Sequence, residues 1–329
     1  MPRVAVIIPN WNGERFLDAC LGSLRRQTFQ DFVTFLIDNG SEDNSVTYVE
    51  ANYPEVRVVR HEQNLGFSVA INAGIRASCS EYVAMLNNDT EVDDHWLEAL
   101  VSTLNARPDI GLCASKVLDF VDRGVIDSFG DGYSRFGIAF KIGSLAQDGA
   151  MFQTPIEVLS PCAAASIYRR SMFDDIGLLD EDFFCYMEDV DLGLRAMLAG
   201  YRCLVVPSAK VYHIGSASTG GGMSAFSLLM TAKNFPHVLC KNIPSALLWK
   251  ILPLAACAQL VLIIETLIGR RPDIRKNFGS YWHGLALSLR QLPGMLKKRR
   301  QVQARRRINA KQFYAMIQRA ERQKQVFSA

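Results

Sequence analysis

Four apolar, β-rich runs recur in the N-terminal part of the chain, each separated from the next by a stretch with helical spacing: "VAVIIP" (4–9), "FVTFLID" (32–38), "VRVVRH" (56–61) and "YVAMLN" (82–87). After the first run, Phe16, Leu17, Cys20, Leu21 and Leu24 share one face of a helical pattern from Gly13 to Gln27; further helices are expected near 44–52 and 66–77. Runs that are continuously Val, Ile and Leu, rather than alternating with polar residues, belong to strands buried on both faces. Helices between them make the sheet parallel. The fold class is therefore α/β with a mostly parallel central sheet. Ligands collect at the carboxyl ends of such strands, and there the sequence places "PNWNG", "DNGSEDNS", "EQNLGF" and "NNDTE". One such cluster is ordinary loop composition; four in consecutive crossovers predict one binding edge. No GxGxxG follows the first strand and no GxxxxGK[ST] occurs, which argues against dinucleotide and P-loop sites. "TGGGMS" (219–224) has no strand before it and reads as a flexible loop.

The run "YVAMLNNDTEV" enters two asparagines and an aspartate, and Glu91–Leu100 then reads as an amphipathic helix. Asn and Asp bond their own backbone and form turns, but their oxygens also suit a hard divalent cation. Charge is strongly segregated. From Arg290 onward there are twelve Lys and Arg against the single acid Glu321, while the rest of the chain holds 24 bases against 32 acids. A basic tail on an acidic body points to a surface-binding tail. Eight scattered cysteines with no CxxC suit a reducing compartment. The apolar run after the N-terminal methionine is too short for a signal peptide, so a cytoplasmic location is expected.

Six motifs in order, "PNWNG", "IDNGSEDNS", "NLGFSVAINAGI", "LNNDTEV", "DEDFFCYMEDVDLGLRAMLAG" and "VYHIGSAS", resemble the family 2 glycosyltransferases, inverting enzymes of GT-A fold, over roughly residues 3–240. Within that family the chain looks most like the bacterial rhamnosyltransferases that build cell-surface polysaccharide such as O-antigen. The resemblance implies a nucleotide-sugar donor, dTDP-rhamnose first and a UDP-sugar second, and Mg²⁺ or Mn²⁺. "NND" stands at the family's DxD position, with Asn87 in place of the first Asp. It implies that Asp89 ligates the metal and that Asn87 or Asn88 contacts ribose or sugar, with His213 the second metal ligand. The ED motif maps onto Glu188 and Asp189; Asp189 is the implied general base, with Glu188 or Asp191 its electrostatic neighbour. Pro9, Asn10, Trp11 and Asn12 are implied in donor binding, Trp11 by stacking on the base. Asp38 takes the base-edge position, with Asn39 and Ser41 as turn-formers, and Asn64, Gly66 and Asn72 face the diphosphate. "SPCAAA" (160–165) lacks the glycine expected in that loop.

The segment 243–271 is the most apolar, but Lys250, Pro253, Gln259 and Glu265 interrupt it, and a full span needs about 20 residues with few polar ones. An interfacial or re-entrant helix, a soluble helical core and a full span are the alternatives. Phe278, Tyr281, Trp282, Leu285, Leu289, Leu292 and Leu296 follow at helical spacing, then "KKRR" and "RRR". Such a helix suits an anionic cytoplasmic leaflet. Two parts are expected: a GT-A catalytic domain at 1–240 and membrane-associating helices with the basic tail at 241–329. The expected partners are the donor, a lipid-linked or glycan acceptor, and the inner membrane's cytoplasmic face. Nucleic acid is not expected, since no recognised module surrounds the charge; an oligomer is possible. Two other classes compete, a nucleotidyltransferase and a non-catalytic glycan-binding relic. The first lacks a glycine- and basic-rich triphosphate loop, and Asp89, Asp189 and His213 argue against the second.

Overall fold

In the computed structural model, which describes residues 2–215 and 224–327, the four apolar runs form strands β1 (Val4–Asn10), β2 (Phe32–Asn39), β3 (Arg57–His61) and β4 (Tyr82–Leu86). Helices α1 (Glu14–Arg25), α2 (Ser45–Asn52) and α3 (Phe67–Ala77) make the crossovers. The chain continues through β5 (Thr90–Val92), α4 (Trp96–Ala106), β6 (Ile110–Asp119), β7 (Ile126–Ser128), and a ribbon of β8 (Asp131–Tyr133) with β9 (Ala139–Lys141). Then come β10 (Glu157–Val158), β11 (Ala165–Arg169), α5 (Arg170–Ile176), α6 (Glu188–Leu198) and β12 (Arg202–His213). Helices α7 (Ala225–Asn242), α8 (Ser245–Leu267), α9 (Pro272–Arg275), α10 (Phe278–Ala304) and α11 (Ala310–Phe327) close the described chain. The glycine-rich stretch 219–223, expected to be a loop, lies outside the described residues.

The main sheet runs β10-β12-β6-β11-β4-β1-β2-β3. Strands β3, β2, β1 and β4 are mutually parallel. β11 inserts antiparallel between β4 and β6, and β6 pairs parallel with β12. Two reversals cancel, so β1, β2, β4, β6 and β12 all end at one edge. Alternate residues of β1 pack on opposite faces. Val4, Val6 and Ile8 meet Leu17, Leu21, Trp96 and Leu100, whereas Ala5 and Ile7 meet Ile71, Ile75 and Met172. The helix expected over Glu91–Leu100 is corrected. Thr90–Val92 is a strand because it pairs antiparallel with Val211–His213, and the helix starts only at Trp96. The apolar pattern there records burial of Val92 beside the sheet, not a helical face.

The C-terminal helices are not a loose appendage. Residue 240, where the sequence pattern changes, lies inside α7. α10 docks along α7: His237 Nε2 lies 3.2 Å from the Ser288 carbonyl, and the Arg299 guanidinium donates to the carbonyls of Cys240 and Ile243 at 2.6 and 2.7 Å. Below this contact the Lys241 ammonium donates to Asp180 at 2.5 Å and to Asp191 at 2.9 Å, and Arg195 donates to Asp191 at 2.8 Å. Lys298 of α10 donates to both Asp180 and Asp182. The basic tail is partly folded back. Phe327 packs against Phe129 and Phe152 with centroids 5.8 and 5.3 Å away, and Arg319 pairs with Glu157 at 2.9 Å. α8 is different: it is long and apolar enough to cross a membrane by length and composition, and only 11% of its most apolar window is buried. A buried soluble core helix does not describe it.

Burial raises the Asp180 carboxyl, but Lys241 and Lys298 outweigh it and hold it below the ordinary carboxylate range. Asp191 is depressed likewise, with Lys241 and Arg195 overcoming burial. A depressed carboxylate contributes stability that is complete above its unfolded-state pKa of about 3.9 and lost as pH falls. Denaturant unfolding should therefore show stability declining below about pH 5. Asp180→Asn should cost about 3–5 kcal/mol at neutral pH, because it leaves Lys241 buried with one partner fewer, and should flatten the acid decline.

Candidate active site

The shared strand edge opens into a cavity of about 850 Å³, large enough for a nucleotide-sized ligand. Its floor is built from β1 and β4. The strands are adjacent and parallel, so Asn88, just past β4, reaches Asn10 at the end of β1. The Asn88 amide donates to Asn10 Oδ1 at 2.7 Å, and the Asn10 amide donates to Asp38 Oδ1 and Ser41 Oγ, both at 3.3 Å. Gly13 is required here, since a Cβ would lie 2.1 Å from Asn88 Nδ2. Asn39 organises the next wall: its amide donates to Asn64 Oδ1 and the Gly66 carbonyl at 2.9 and 3.2 Å. Gly66 has φ +90° and lies against Phe184, a conformation and a closeness that exclude a side chain. Pro9, Asn10, Asn64, Gly66, Asn87 and Asn88 line the cavity, and Trp11 stands 40% exposed at its mouth.

The pairing of β5 with β12 sets Thr90 opposite His213. It thereby brings Asp89 Oδ1 to 3.4 Å from His213 Nε2. The far ring nitrogen, Nδ1, contacts Asp127 Oδ2 at 2.8 Å, and Asp127 Oδ1 accepts from the Lys141 ammonium at 2.6 Å. Burial disfavours a charged imidazole, but Asp127 and Asp89 outweigh it and raise His213 to about 9. Asp127, conversely, is pushed up by burial yet held at about 2 by His213 and Lys141. The Asn87 side-chain oxygen, on the wall of the same cavity, is buried with no hydrogen-bond partner among the described residues.

Across the cavity, α6 begins with Glu188 and Asp189. The turn leading to it is left-handed at three non-glycine residues, Phe184, Tyr186 and Met187 (φ 63°, 67° and 70°), each a strain of about 1–3 kcal/mol. What holds it is Asn234 of α7, whose buried amide donates to the carbonyls of Phe183, Cys185 and Tyr186 at 3.0, 2.9 and 2.8 Å. Asp189 accepts from the Val190 and Ala163 amides at 2.8 and 3.2 Å, yet burial still leaves its carboxyl raised. Glu188 is raised well above the usual range by burial and by Asp189, and its Oε2 is buried without a partner among the described residues. Asp131 is raised to about 7 by burial and by Asp189. Carboxyls that disfavour one another's ionisation are suited to hold and exchange a proton near neutrality.

A family model for "Glycosyl transferase family 2" matches residues 5–177, more than half of the chain. The chain belongs to that family. This glycosyltransferase is 29% identical over 248 residues to the N-acetylglucosaminyl-diphospho-decaprenol L-rhamnosyltransferase of Mycobacterium tuberculosis (strain ATCC 25618 / H37Rv), covering 67% of this chain and 78% of that one. It is 31% identical over 231 residues to the uncharacterized protein y4gI of Sinorhizobium fredii (strain NBRC 101917 / NGR234); the match covers 67% of this chain but 25% of that much longer protein. The crystal structure of GalNAc-T7 with UDP, GalNAc and Mn²⁺ superposes with a TM-score of 0.58 at 18% identity, over 72% of this chain and 47% of that one. That likeness shows the GT-A fold.

Four expected site residues of the glycosyltransferase do not open on the cavity. Asp191 is fully buried in the ion network with Lys241 and Arg195 and also accepts from Asn242. Asn72 is buried and bonded to Leu179 and Glu181. Asp38 stands behind Asn10, accepting from it and from the Ser41 amide. Asn12 turns into a neighbouring shallow groove and accepts from the Glu42 amide. Asp127, Asp131, Lys141 and Asn234 carry no pattern that ties them to the site. The signal available was "IDSFGDGY", a short alternating strand with acids four apart, but its partner His213 lies 86 residues away from Asp127.

Asn234→Ala removes the amide that ties the carbonyls of Phe183, Cys185 and Tyr186 together in a strained turn, at about 1–3 kcal/mol for the lost buried hydrogen bonding. Hydrogen–deuterium exchange should accelerate across 183–190 in that variant while the β1 and β4 amides keep their protection.

Proposed function

We propose that this glycosyltransferase moves one sugar, L-rhamnose from dTDP-rhamnose as first choice, to a hydroxyl of a lipid-linked or glycan acceptor with inversion and with a divalent cation bound. The observation that carries the reading is the Asp89–His213 pair facing Asp189 across one cavity. The name of the mycobacterial relative supports rhamnose and a lipid-diphosphate acceptor. The UDP, GalNAc and Mn²⁺ of the GT-A neighbour support a cation and keep UDP-sugars in the donor panel.

The donor set fits Mg²⁺ or Mn²⁺. Among the described residues no group of three or more His, Cys, Asp and Glu gathers as a metal cage, which suits an ion completed by diphosphate oxygens and water. Asp89 and His213 Nε2 would hold it, with Asp127 on Nδ1 fixing the tautomer that turns the Nε2 lone pair outward. A bound cation supplies neutralisation of the charge developing on the leaving diphosphate. Asp189, half-buried with a raised carboxyl, takes the proton from the acceptor hydroxyl as that oxygen bonds the anomeric carbon. The bond from that carbon to the diphosphate oxygen breaks on the opposite face, and the nucleoside diphosphate leaves. Glu188, its carboxyl raised by burial and by Asp189, lines the same cavity as the base. Trp11 offers its exposed ring at the mouth for stacking on the base.

Transfer assays with dTDP-rhamnose and UDP-sugars test this. Asp89→Ala and excess chelator should each abolish turnover; full activity in chelator would remove the cation. Asp189→Asn should keep donor affinity and lose at least about 10²-fold in turnover. A wild-type rate in that variant would return the base to another carboxyl.

The membrane surface is the other part of the reading. Trp249, Leu260, Val261 and Leu267 of α8, with Trp282 and Leu289 of α10, are each 48% or more exposed. Each forfeits part of the roughly 1.5–3 kcal/mol that burial of such a side chain yields. Arg270, Arg275 and Lys276 stand exposed at the link between the helices, a pattern suited to an anionic interface. The full chain should co-sediment with anionic vesicles more than with neutral ones and be only partly released by salt. Protein left in the supernatant with every lipid would make this face a protein interface.

A further inference from the structure

We infer that Lys141 is a catalytic residue of the transfer, its ammonium contacting the diphosphate oxygen that leaves the sugar. The inference rests on the reading above, because it concerns the same cavity and the same bond.

Three observations locate it. First, among the described residues lining the cavity Lys141 is the one Lys or Arg, alongside the carboxyls of Asp89, Glu188 and Asp189. A site for a dianionic diphosphate that is otherwise acidic needs cationic partners, and the protein supplies this one. Second, Lys141 stands between the two halves of the chemistry. Through Asp127 it is joined to His213 and Asp89. Through the β8–β9 ribbon it is in register with Asp131. The backbone of Asp131 pairs with Ser160 at 2.8 and 3.1 Å, and the Ser160 hydroxyl donates to the Asp189 carbonyl at 2.9 Å. On the reading above the breaking bond lies between the Asp89–His213 pair and Asp189, and Lys141 lines the cavity that all three share. Third, Lys141 has capacity to spare: an ammonium has three donors, Asp127 takes one at 2.6 Å, and the side chain is 37% exposed.

Asp127 thus has two tasks. One oxygen orients the imidazole and the other aims Lys141, so the ring that would hold the cation and the ammonium keep a fixed spacing. As the anomeric carbon–oxygen bond breaks, its electron pair stays on the diphosphate oxygen, and the Lys141 N–H bonds strengthen with that charge. No proton moves to or from Lys141. A donor whose bond strengthens in the transition state acts mainly on turnover.

The test compares wild type with Lys141→Gln and Lys141→Arg by calorimetric binding of UDP, dTDP, UMP and dTMP in Mn²⁺, and by transfer kinetics. Lys141→Gln should weaken the diphosphates by about tenfold or more and the monophosphates far less, and should lower kcat by about 10²-fold, the scale for removing one such donor. Lys141→Arg should restore part of both. Diphosphate affinity and kcat within about twofold of wild type in a folded Lys141→Gln, or a change confined to acceptor KM, would overturn the assignment while leaving the transferase reading intact. A wild-type protein that binds none of these nucleotides and transfers no sugar overturns both. Should Lys141→Gln not fold, Lys141→Met is read in its place: loss of the diphosphate-over-monophosphate selectivity supports the contact and unchanged selectivity overturns it.

Discussion

Everything at the active edge depends on the parallel register of β1 with β2 and β4. Parallel strands joined by helical crossovers end on the same side, so three separate loops deliver asparagine and aspartate side chains to one line. The Asn88–Asn10–Asp38 chain of hydrogen bonds is that alignment made visible. The antiparallel β11 does not break it, since β6 and β12 return to the first direction beyond it. His213 therefore finishes at the same edge as Asp89, although more than a hundred residues separate them.

The buried carboxylates divide into two groups by their neighbours. Asp180 and Asp191 sit among Lys241, Lys298 and Arg195, stay ionised, and fasten α10 and α7 to the acid helix. Glu188, Asp189 and Asp131 sit among one another with few full cations, and their protons are held more tightly. A single helix, α6, contributes to both groups. Its i, i+4 pair of Asp191 and Arg195 faces the scaffold, while Glu188 and Asp189 face the cavity. The scaffold charges fix where the reactive ones can be, which is why helices beyond residue 240 belong to the mechanics of the site.

The same helices leave one apolar face uncovered on α8 and α10, while α10 fastens to α7 through Arg299 and buries Tyr281 beside Leu228 and Ala232. The basic tail is likewise divided, with Arg319 and Lys298 paired to acids of the body and Arg305, Arg306 and Lys311 exposed.

How much of this was legible in the sequence follows from the range of each interaction. Strand runs, crossover helices and the polar clusters at strand ends are local patterns of periods two and 3.6, and they placed β1 to β4, α1 to α3, Asp89 and the acids at the start of α6. Ordered motifs shared with a family added His213, Glu188 and Asp189, which the structure gathers on one cavity. What local pattern could not show was direction in space. Asp191 differs from Asp189 by two positions, hence by about 200° around a helix, and only the packing of α7 decides which faces the cavity. Thr90–Val92 reads as helix until β12, far along the chain, pairs with it. Asp127, Lys141 and Asn234 act through partners 86, 14 and roughly fifty residues away. The sequence alone determined the four parallel strands β1 to β4 and the polar edge at their ends; the tertiary structure decided which acids share a low-dielectric space, because that depends on contacts no periodicity records.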